Sequence, residues 1–219
     1  MTNGASPVVA LSGAVVISSG FPLLSGVDLE VAPGTLTVLS GANGAGKTSL
    51  LRLLAGLAAL TSGSGTVAGV DLAEGDLRQL RRRVGWLGHE GSFYDDLSVR
   101  ENLTFAARAL GRPSDGVEPV VARMGLEQRI NTPAKQLSAG QRRRLGLAWL
   151  LIRRPELWLL DEPYASLDDG GRIFFDALLG DVVASGATVV VSAHDRLRSD
   201  TLTPRTILMA GGRIVGDER

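Results

Sequence analysis

Apolar positions in the first third of the chain fall into short runs with the continuity or two-residue alternation of strands. Val8 to Ile17, Val27 to Val31 and Thr35 to Ser40 are read as strands, with Pro33-Gly34 as the turn between the last two. Behind GANGAGKT, Gly41 to Thr48, the leucines at 50, 51, 53 and 54 change the period to that of a helix. That helix fades into the loop-like TSGSG of Thr61 to Gly65, after which Thr66 to Val70 and Val84 to Leu87 again have strand character.

From Ser98 to about Asn131 the pattern is helical, broken at Gly111-Arg112-Pro113 and at Gly125, and the spacing of Ser98 and Glu101 predicts a capping box. A further helix is predicted behind Ser138, with Leu145, Ala148, Trp149 and Ile152 on one face and Pro155 closing it. Strand character returns at Leu157 to Leu160, Thr188 to Val191, Thr206 to Met209 and Arg213 to Val215. Strands separated by helical stretches predict an α/β fold: a mainly parallel sheet core, an antiparallel β part at the N-terminal end, and an inserted helical lobe. The expected division is a core of about residues 1–88 and 155–219 and a lobe of about 89–154.

Composition narrows the function classes. With 219 residues, 44% apolar, 21% charged and a formal net charge of zero, the chain is an ordinary globular protein without an overall pull on nucleic acid or acidic lipid. It has no cysteine and two histidines, which excludes a disulfide framework and disfavours zinc. No lysine or arginine precedes Lys47, so the charged segment of a signal peptide is missing. Apolar runs such as Leu145 to Ile152 fall short of the ~20 residues that cross a bilayer, so any membrane role is expected to go through a partner. The basic runs Arg81 to Arg83 and Arg142 to Arg144 are read as solvated helix faces, and no nucleic acid is expected as a partner.

Candidate chemistry starts at the strand-to-helix transition. A loop built on Gly41, Gly44 and Gly46 turns its backbone N–H groups inward, where the N-terminus of the following helix adds its dipole. Lys47 then reaches the outer phosphates of a nucleotide and Thr48 offers a hydroxyl to Mg²⁺. Only two of the 23 basic side chains are lysine, which sets Lys47 against the chain's own preference for arginine. The whole run Gly41, Ala42, Asn43, Gly44, Ala45, Gly46, Lys47, Thr48 and Ser49 is the expected ATP-binding segment.

LWLLDEP, Leu157 to Pro163, is a buried-strand pattern ending in two carboxylates. Asp161 is expected to hold Mg²⁺, and Glu162 to polarise the water that attacks the γ-phosphate. In LSAGQ, Leu137 to Gln141, Ser138 fits a helix N-cap, and equally a second phosphate contact made by its hydroxyl and the Gly140 N–H.

Taken in order, GANGAGKT, LSAGQ, LWLLDEP, Ser166-Leu167-Asp168 and Val191-Ser192-Ala193-His194 resemble the motifs of the ATP-binding cassette (ABC) ATPases over nearly the whole chain. The resemblance implies an ATP hydrolase using ATP and Mg²⁺, working as a head-to-tail dimer with a second copy of itself. Each ATP then lies between the phosphate loop of one copy and Ser138, Gly140 and Gln141 of the other. It further implies that Glu162 is the catalytic base, that His194 contacts the γ-phosphate, and that Asp168 belongs to the loop linking the two sites.

Two positions depart from the family pattern. Gly88-His89-Glu90 stands where a glutamine is usual, which makes His89 or Glu90 the candidate for its metal contact. The residue that stacks on adenine would fall near Ser18, and the nearest aromatic is Phe21.

A lone cassette resembles the peripheral subunit of a transporter whose membrane protein is a separate polytopic chain, placed on the cytoplasmic side of the inner membrane. The segment His89 to Phe105, with Phe93 and Tyr94, lies where that partner docks. Within the family, QLSAGQRRRLGLAWLLIRRPELWLLDEPYASLD most resembles the ATPase subunit of the cytochrome c maturation haem exporter. The alternatives are the ATPase of a drug, polysaccharide or lipid exporter, a cassette acting on nucleic acid or ribosomes, and a non-hydrolysing scaffold; the last conflicts with Glu162 beside Asp161.

Overall fold

Two long strands open the structure, a computed structural model that describes residues 6–88, 93–165, 167–193 and 203–218. β1 (Val9–Ser18) and β2 (Phe21–Val31) pair antiparallel through a two-residue turn, Ser19-Gly20, with φ of 50° and 81°. Positive φ at both turn residues matches the right-handed twist of the flanking strands. There follow β3 (Leu36–Ser40), α1 (Lys47–Leu54), β4 (Ser62–Val67), β5 (Val70–Asp71), α2 (Leu77–Arg83) and β6 (Val84–Leu87). Next come α3 (Val99–Ala109), α4 (Val117–Arg123) and α5 (Ala139–Arg153). The chain returns through β7 (Leu157–Leu160), α6 (Asp169–Ala184), β8 (Thr188–Ala193), β9 (Arg205–Ala210) and β10 (Arg213–Glu218).

Contacts divide the chain into one unit of residues 1–85 and 156–219 and a second of 86–155. The first holds an antiparallel sheet of order β2-β1-β4-β5 and a larger sheet of order β10-β9-β3-β8-β7-β6, whose last strand, β6, runs across the boundary between the units. In the larger sheet β3 runs parallel to both β8 and β9, β7 runs parallel to β8, and only β10 is seen to turn back against β9. Helix α1 packs on β1 and β2 on one side and on β7 and β8 on the other. This explains why Leu50, Leu51, Leu53 and Leu54 are all fully buried: a helix enclosed on two sides needs apolar residues on more than one stripe.

The segment expected to be a loop at 61–65 belongs almost wholly to β4, and the single strand expected at 66–70 is interrupted at Ala68-Gly69, where φ is 48° and 74°. Its apolar periodicity is absent because backbone proximity, not side-chain burial, dictates the pairing with β1. A Cβ on Gly63 would stand 2.3 Å from the Gly13 carbonyl oxygen, and one on Gly65 would stand 2.5 Å from a Leu11 methyl.

The second unit is helical. Ser98 accepts from the Glu101 N–H at 3.2 Å while the Glu101 carboxylate accepts from the Ser98 N–H at 2.8 Å, closing the expected capping box on α3. The arginine runs, in which Arg81, Arg82 and Arg144 are exposed and Arg83, Arg142 and Arg143 half-buried, also serve the chain's own backbone. Arg81 donates to the Gly56 carbonyl at 2.8 Å, Arg83 to the Ala68 carbonyl at 2.8 Å, and Arg144 to the Met124 carbonyl at 3.3 Å. Arg142 meets the Ala134 carbonyl at 3.0 Å and Asp95 at 2.7 Å, and lies 5.0 Å over the Phe93 ring. A guanidinium carries five donors in a rigid fork, which suits it to carbonyls left over at turns and helix ends.

Asn102, fully buried on α3, accepts from the Tyr94 N–H at 2.7 Å and donates to the carbonyls of Tyr94, Leu97 and Ser98 at 2.9 to 3.0 Å. Residues 94–98 are thereby stapled to the start of α3. Asn102→Ala strands those groups and is expected to lower unfolding stability by about 3 kcal/mol in urea titration, whereas a loss under about 1 kcal/mol would mean that the network contributes little.

Candidate nucleotide-binding site

All five residues of β3 are buried, and the strand delivers the chain to Gly41 with no freedom to shift. At Gly41, φ is 147° and an added Cβ would stand 2.3 Å from the Met209 carbonyl oxygen. At Gly46, φ is 102°, and a Cβ would press at 3.1 Å on both the Leu23 carbonyl and Gly212. Gly44 has open space around it and is required by its φ of 77° alone. The turn between β9 and β10 braces the loop: Gly212 donates its N–H to the Ala45 carbonyl at 3.0 Å and accepts from the Ser25 N–H at 2.9 Å. Between these anchors Ala42, Asn43 and Gly44 are exposed and Ala45 is buried.

Helix α1 starts on Gly46 without a side-chain cap, whereas α2, α3, α5 and α6 are capped by Asp76, Ser98, Ser138 and Asp168. The first N–H groups of α1 are thus left to an outside acceptor, with the positive end of the helix dipole behind them. Lys47 is 5% exposed and folds its ammonium back on the loop, donating to the carbonyls of Gly41 at 2.6 Å and Ala42 at 3.2 Å. A positive charge is therefore held inside the loop. Ser49 is half-buried on the first turn of α1.

Opposite this turn stand the ends of β7 and β8. Their parallel register finishes at Leu160 and Val191, so Asp161 and Ser192 are the next residues on neighbouring strands. Asp161 is 2% exposed and accepts from two hydroxyls: Thr48 Oγ1, forked over the two carboxylate oxygens at 3.1 and 2.9 Å, and Ser192 Oγ at 2.7 Å. Glu162 follows with φ of 47°, left-handed for a residue with a side chain, and donates its N–H to Ser192 Oγ at 2.8 Å. The Tyr164 hydroxyl donates to Asp176 at 2.6 Å, and its ring meets Phe175 edge-on at 4.8 Å, which ties the segment after Glu162 to α6. Burial, helped by Asp176, pushes the Tyr164 phenol well above its ordinary range and keeps it a neutral donor.

The structure thus brings Gly41 to Ser49, Asp161 and Glu162 to one place in the first unit. Phe21 is 72% exposed at the β1–β2 turn, two residues before Leu23, whose carbonyl lies against Gly46. Asp168 accepts from the Gly171 N–H at 2.7 Å as the N-cap of α6. In the second unit Ser138 and Gln141 form a capping box at the start of α5, and Gly140 is exposed with open space around it. His89, Glu90, Ser166 and His194 lie outside the described residues. Ser192 was not singled out from sequence as a site residue. Its signal was a hydroxyl ending the otherwise apolar run Val189 to Val191, on the strand beside the carboxylate pair.

Among the described residues no group of three or more His, Asp or Glu is placed to hold a metal ion. One hydroxyl and one carboxylate in contact, Thr48 and Asp161, are a sparse set of hard oxygen donors. That fits Mg²⁺, which keeps several waters and takes phosphate oxygens for the rest.

The profile described as ABC transporter matches residues 24–165, a span that contains the glycine loop, LSAGQ and the Asp161-Glu162 pair. The chain belongs to the ABC transporter family. As an ABC transporter chain it is similar to the cytochrome c biogenesis ATP-binding export protein CcmA of Cupriavidus necator, at 42% identity over 86% of this chain and 83% of that protein. The protein of the same description from Bradyrhizobium diazoefficiens is 40% identical over 85% of this chain and 92% of its own length. In structure it resembles the dimeric ATP-binding cassette MJ0796 in a post-hydrolysis state bound to ADP and Pi, with a TM-score of 0.86, 23% identity, and coverage of 96% and 98%. It also resembles cbiO1 from Clostridium perfringens, with a TM-score of 0.82, 24% identity, and coverage of 98% and 89%. Those two likenesses establish the ABC cassette fold, with its α/β core.

Lys47→Ala removes the one cation held in the loop and is expected to weaken ATP binding by about 10- to 100-fold in equilibrium titration, with the fold retained. Unchanged affinity would show that the loop charge does not meet the nucleotide.

Proposed function

We propose that the chain is the ATP-hydrolysing subunit of an ABC exporter that carries haem for cytochrome c biogenesis. The observation that carries the hydrolase part is the contact of Thr48 with Asp161, with Glu162 next in the chain and the Lys47 loop on the same helix end. The cargo part rests on similarity to the CcmA export proteins.

In this reading the N–H groups of Gly44, Gly46, Lys47 and Thr48 and the Lys47 ammonium, released from the Gly41 and Ala42 carbonyls, bind the β- and γ-phosphates. The Thr48 hydroxyl and Asp161 hold the Mg²⁺, which when bound neutralises phosphate charge. Glu162 takes a proton from a water whose oxygen forms a bond to the γ-phosphorus as the bond to the bridging oxygen breaks, leaving ADP and phosphate. Phe21 supplies an exposed apolar face for the adenine ring. Asp161 can serve the metal because its burial and fixed partners leave it one orientation.

The family resemblance supplies the assembly: a second copy contributes Ser138, Gly140 and Gln141 to the γ-phosphate, Asp168 joins the two sites, and His194 contacts the γ-phosphate. Gly140 needs no small side chain for packing within its own unit, which supports a close approach from outside. Glu90 or His89 supplies the remaining metal contact.

No helix among the described residues is long and apolar enough to cross a membrane; the proposed site of work, the cytoplasmic face of a separate polytopic subunit, rests on the similarity to the CcmA export proteins. Tyr94 and Phe105, 53% and 45% exposed, meet edge-on at 5.1 Å with Trp149 behind Phe105 at 6.3 Å, an aromatic ledge suited to that partner. Against nucleic acid stand the net charge of zero and the engagement of Arg81, Arg83, Arg142 and Arg144 with the chain's own carbonyls and Asp95.

Glu162→Gln keeps the shape of the side chain and removes the base. Hydrolysis is expected to fall by about 10²- to 10⁴-fold with ATP affinity held within about threefold. Hydrolysis at the unaltered rate would reject the base assignment.

A further inference from the structure

We infer that Ser192 is a positioning residue for ATP hydrolysis, its single hydroxyl setting both the orientation of the Asp161 carboxylate and the backbone of Glu162. The inference rests on the hydrolase reading and adds to it a residue outside the glycine loop and the carboxylate pair.

Ser192 is fully buried. A hydroxyl has one proton, and here its use is settled by the neighbours: Oγ accepts the Glu162 N–H at 2.8 Å, so its own hydrogen goes to Asp161 Oδ1 at 2.7 Å. One atom therefore touches two successive residues that have different tasks. On Asp161 it occupies one oxygen from the side of β8, while Thr48 Oγ1 reaches both oxygens from the side of α1, so the carboxylate is gripped between a strand and a helix.

At Glu162 the role is conformational. The β7–β8 ladder ends at Leu160 and Val191, and past that point the Glu162 N–H is taken by a side chain of the neighbouring strand instead of a backbone carbonyl. With φ at 47°, the Cβ of Glu162 crowds its own backbone, and such a conformation persists only where the surroundings hold it. The Ser192 hydroxyl is one such hold. Without it the peptide loses one of the restraints that oppose relaxation toward negative φ, a change that would swing the side chain to another direction.

Displacement of a reacting group by about 1 Å costs about 100-fold in rate. Loss of the hydroxyl is therefore expected to act on turnover and on the metal requirement more than on nucleotide binding, which rests on the glycine loop and Lys47.

The experiment compares Ser192→Thr with Ser192→Val in the full-length chain, with Ser192→Ala alongside. Threonine and valine have nearly the same shape, so they share any cost of packing a larger side chain into the buried site and differ in the hydroxyl. Folding is checked by thermal melting, ATP affinity by titration without Mg²⁺, and turnover across a Mg²⁺ series. The expected result is that the threonine variant stays within about threefold of the unaltered kcat. The valine and alanine variants lose about 30- to 100-fold in kcat and need more Mg²⁺ for half-maximal rate, while ATP affinity changes by less than about threefold.

On a Glu162→Gln background at saturating Mg²⁺, adding Ser192→Ala is expected to slow the residual rate by less than about tenfold, well short of its effect in the otherwise unaltered chain, because the part of its action that runs through Glu162 is already removed while the part through Asp161 remains. Equal impairment of the threonine and valine variants, full turnover in the alanine or valine variant, or independent losses on the Glu162→Gln background would each overturn the inference. No hydrolysis by the unaltered chain would instead count against the hydrolase reading itself.

Discussion

The approach of Gly41 to the Met209 carbonyl sets the geometry on which the proposed site depends. The strand that ends there is buried along its whole length, and its last turn has room for a hydrogen and nothing larger. Because Gly46 is pressed in the same way by the Leu23 carbonyl and Gly212, the loop between them is fixed at both ends by backbone from two other strands. A loop fixed in this way presents its N–H groups in one arrangement before any ligand arrives, which lowers the ordering cost of binding. The β9–β10 turn, far away in sequence, is in that sense part of the phosphate site.

The second half of the site is built by register. Parallel pairing of β7 and β8 puts Asp161 and Ser192 side by side at the carboxyl end of the sheet, and the burial of α1 against the same two strands brings Thr48 onto Asp161. A buried carboxylate is tolerated because two hydroxyls donate to it, one of them forked over both oxygens. The left-handed Glu162 follows directly, so a strained residue stands beside a restrained one. Strain at such a place is sustained by the rigid neighbours.

Much of this was legible in the residues. The strands β3, β6 and β7, the capping box of α3, and the glycine loop all carry local signals, because apolar continuity, Ser-x-x-Glu spacing and glycine at positive φ are each dictated within a few residues. What was not legible depended on distant partners. Strand β4 hides in TSGSG because its glycines are there to admit β1, and a sequence window contains no trace of that neighbour. The backbone contacts of Arg81, Arg83 and Arg142 were not legible, since nothing local announces the carbonyls of Gly56, Ala68 or Ala134. Ser192 escaped notice for the same reason: its meaning comes from a register with β7. Conversely, Ser138 was legible as an N-cap, and the structure shows it as one.

The central claim is that the backbone of the Gly41–Gly46 loop and the start of α1 form a ready-made cradle for the phosphates of ATP. Backbone amide NMR of the labelled full chain, titrated with ATP and Mg²⁺, tests it most directly. The account predicts that the largest saturable shifts, downfield as for N–H groups bonded to phosphate, fall on Gly44, Gly46, Lys47 and Thr48. Amides of this segment that stay in place while ATP binds, with the changes falling elsewhere in the chain, would contradict it.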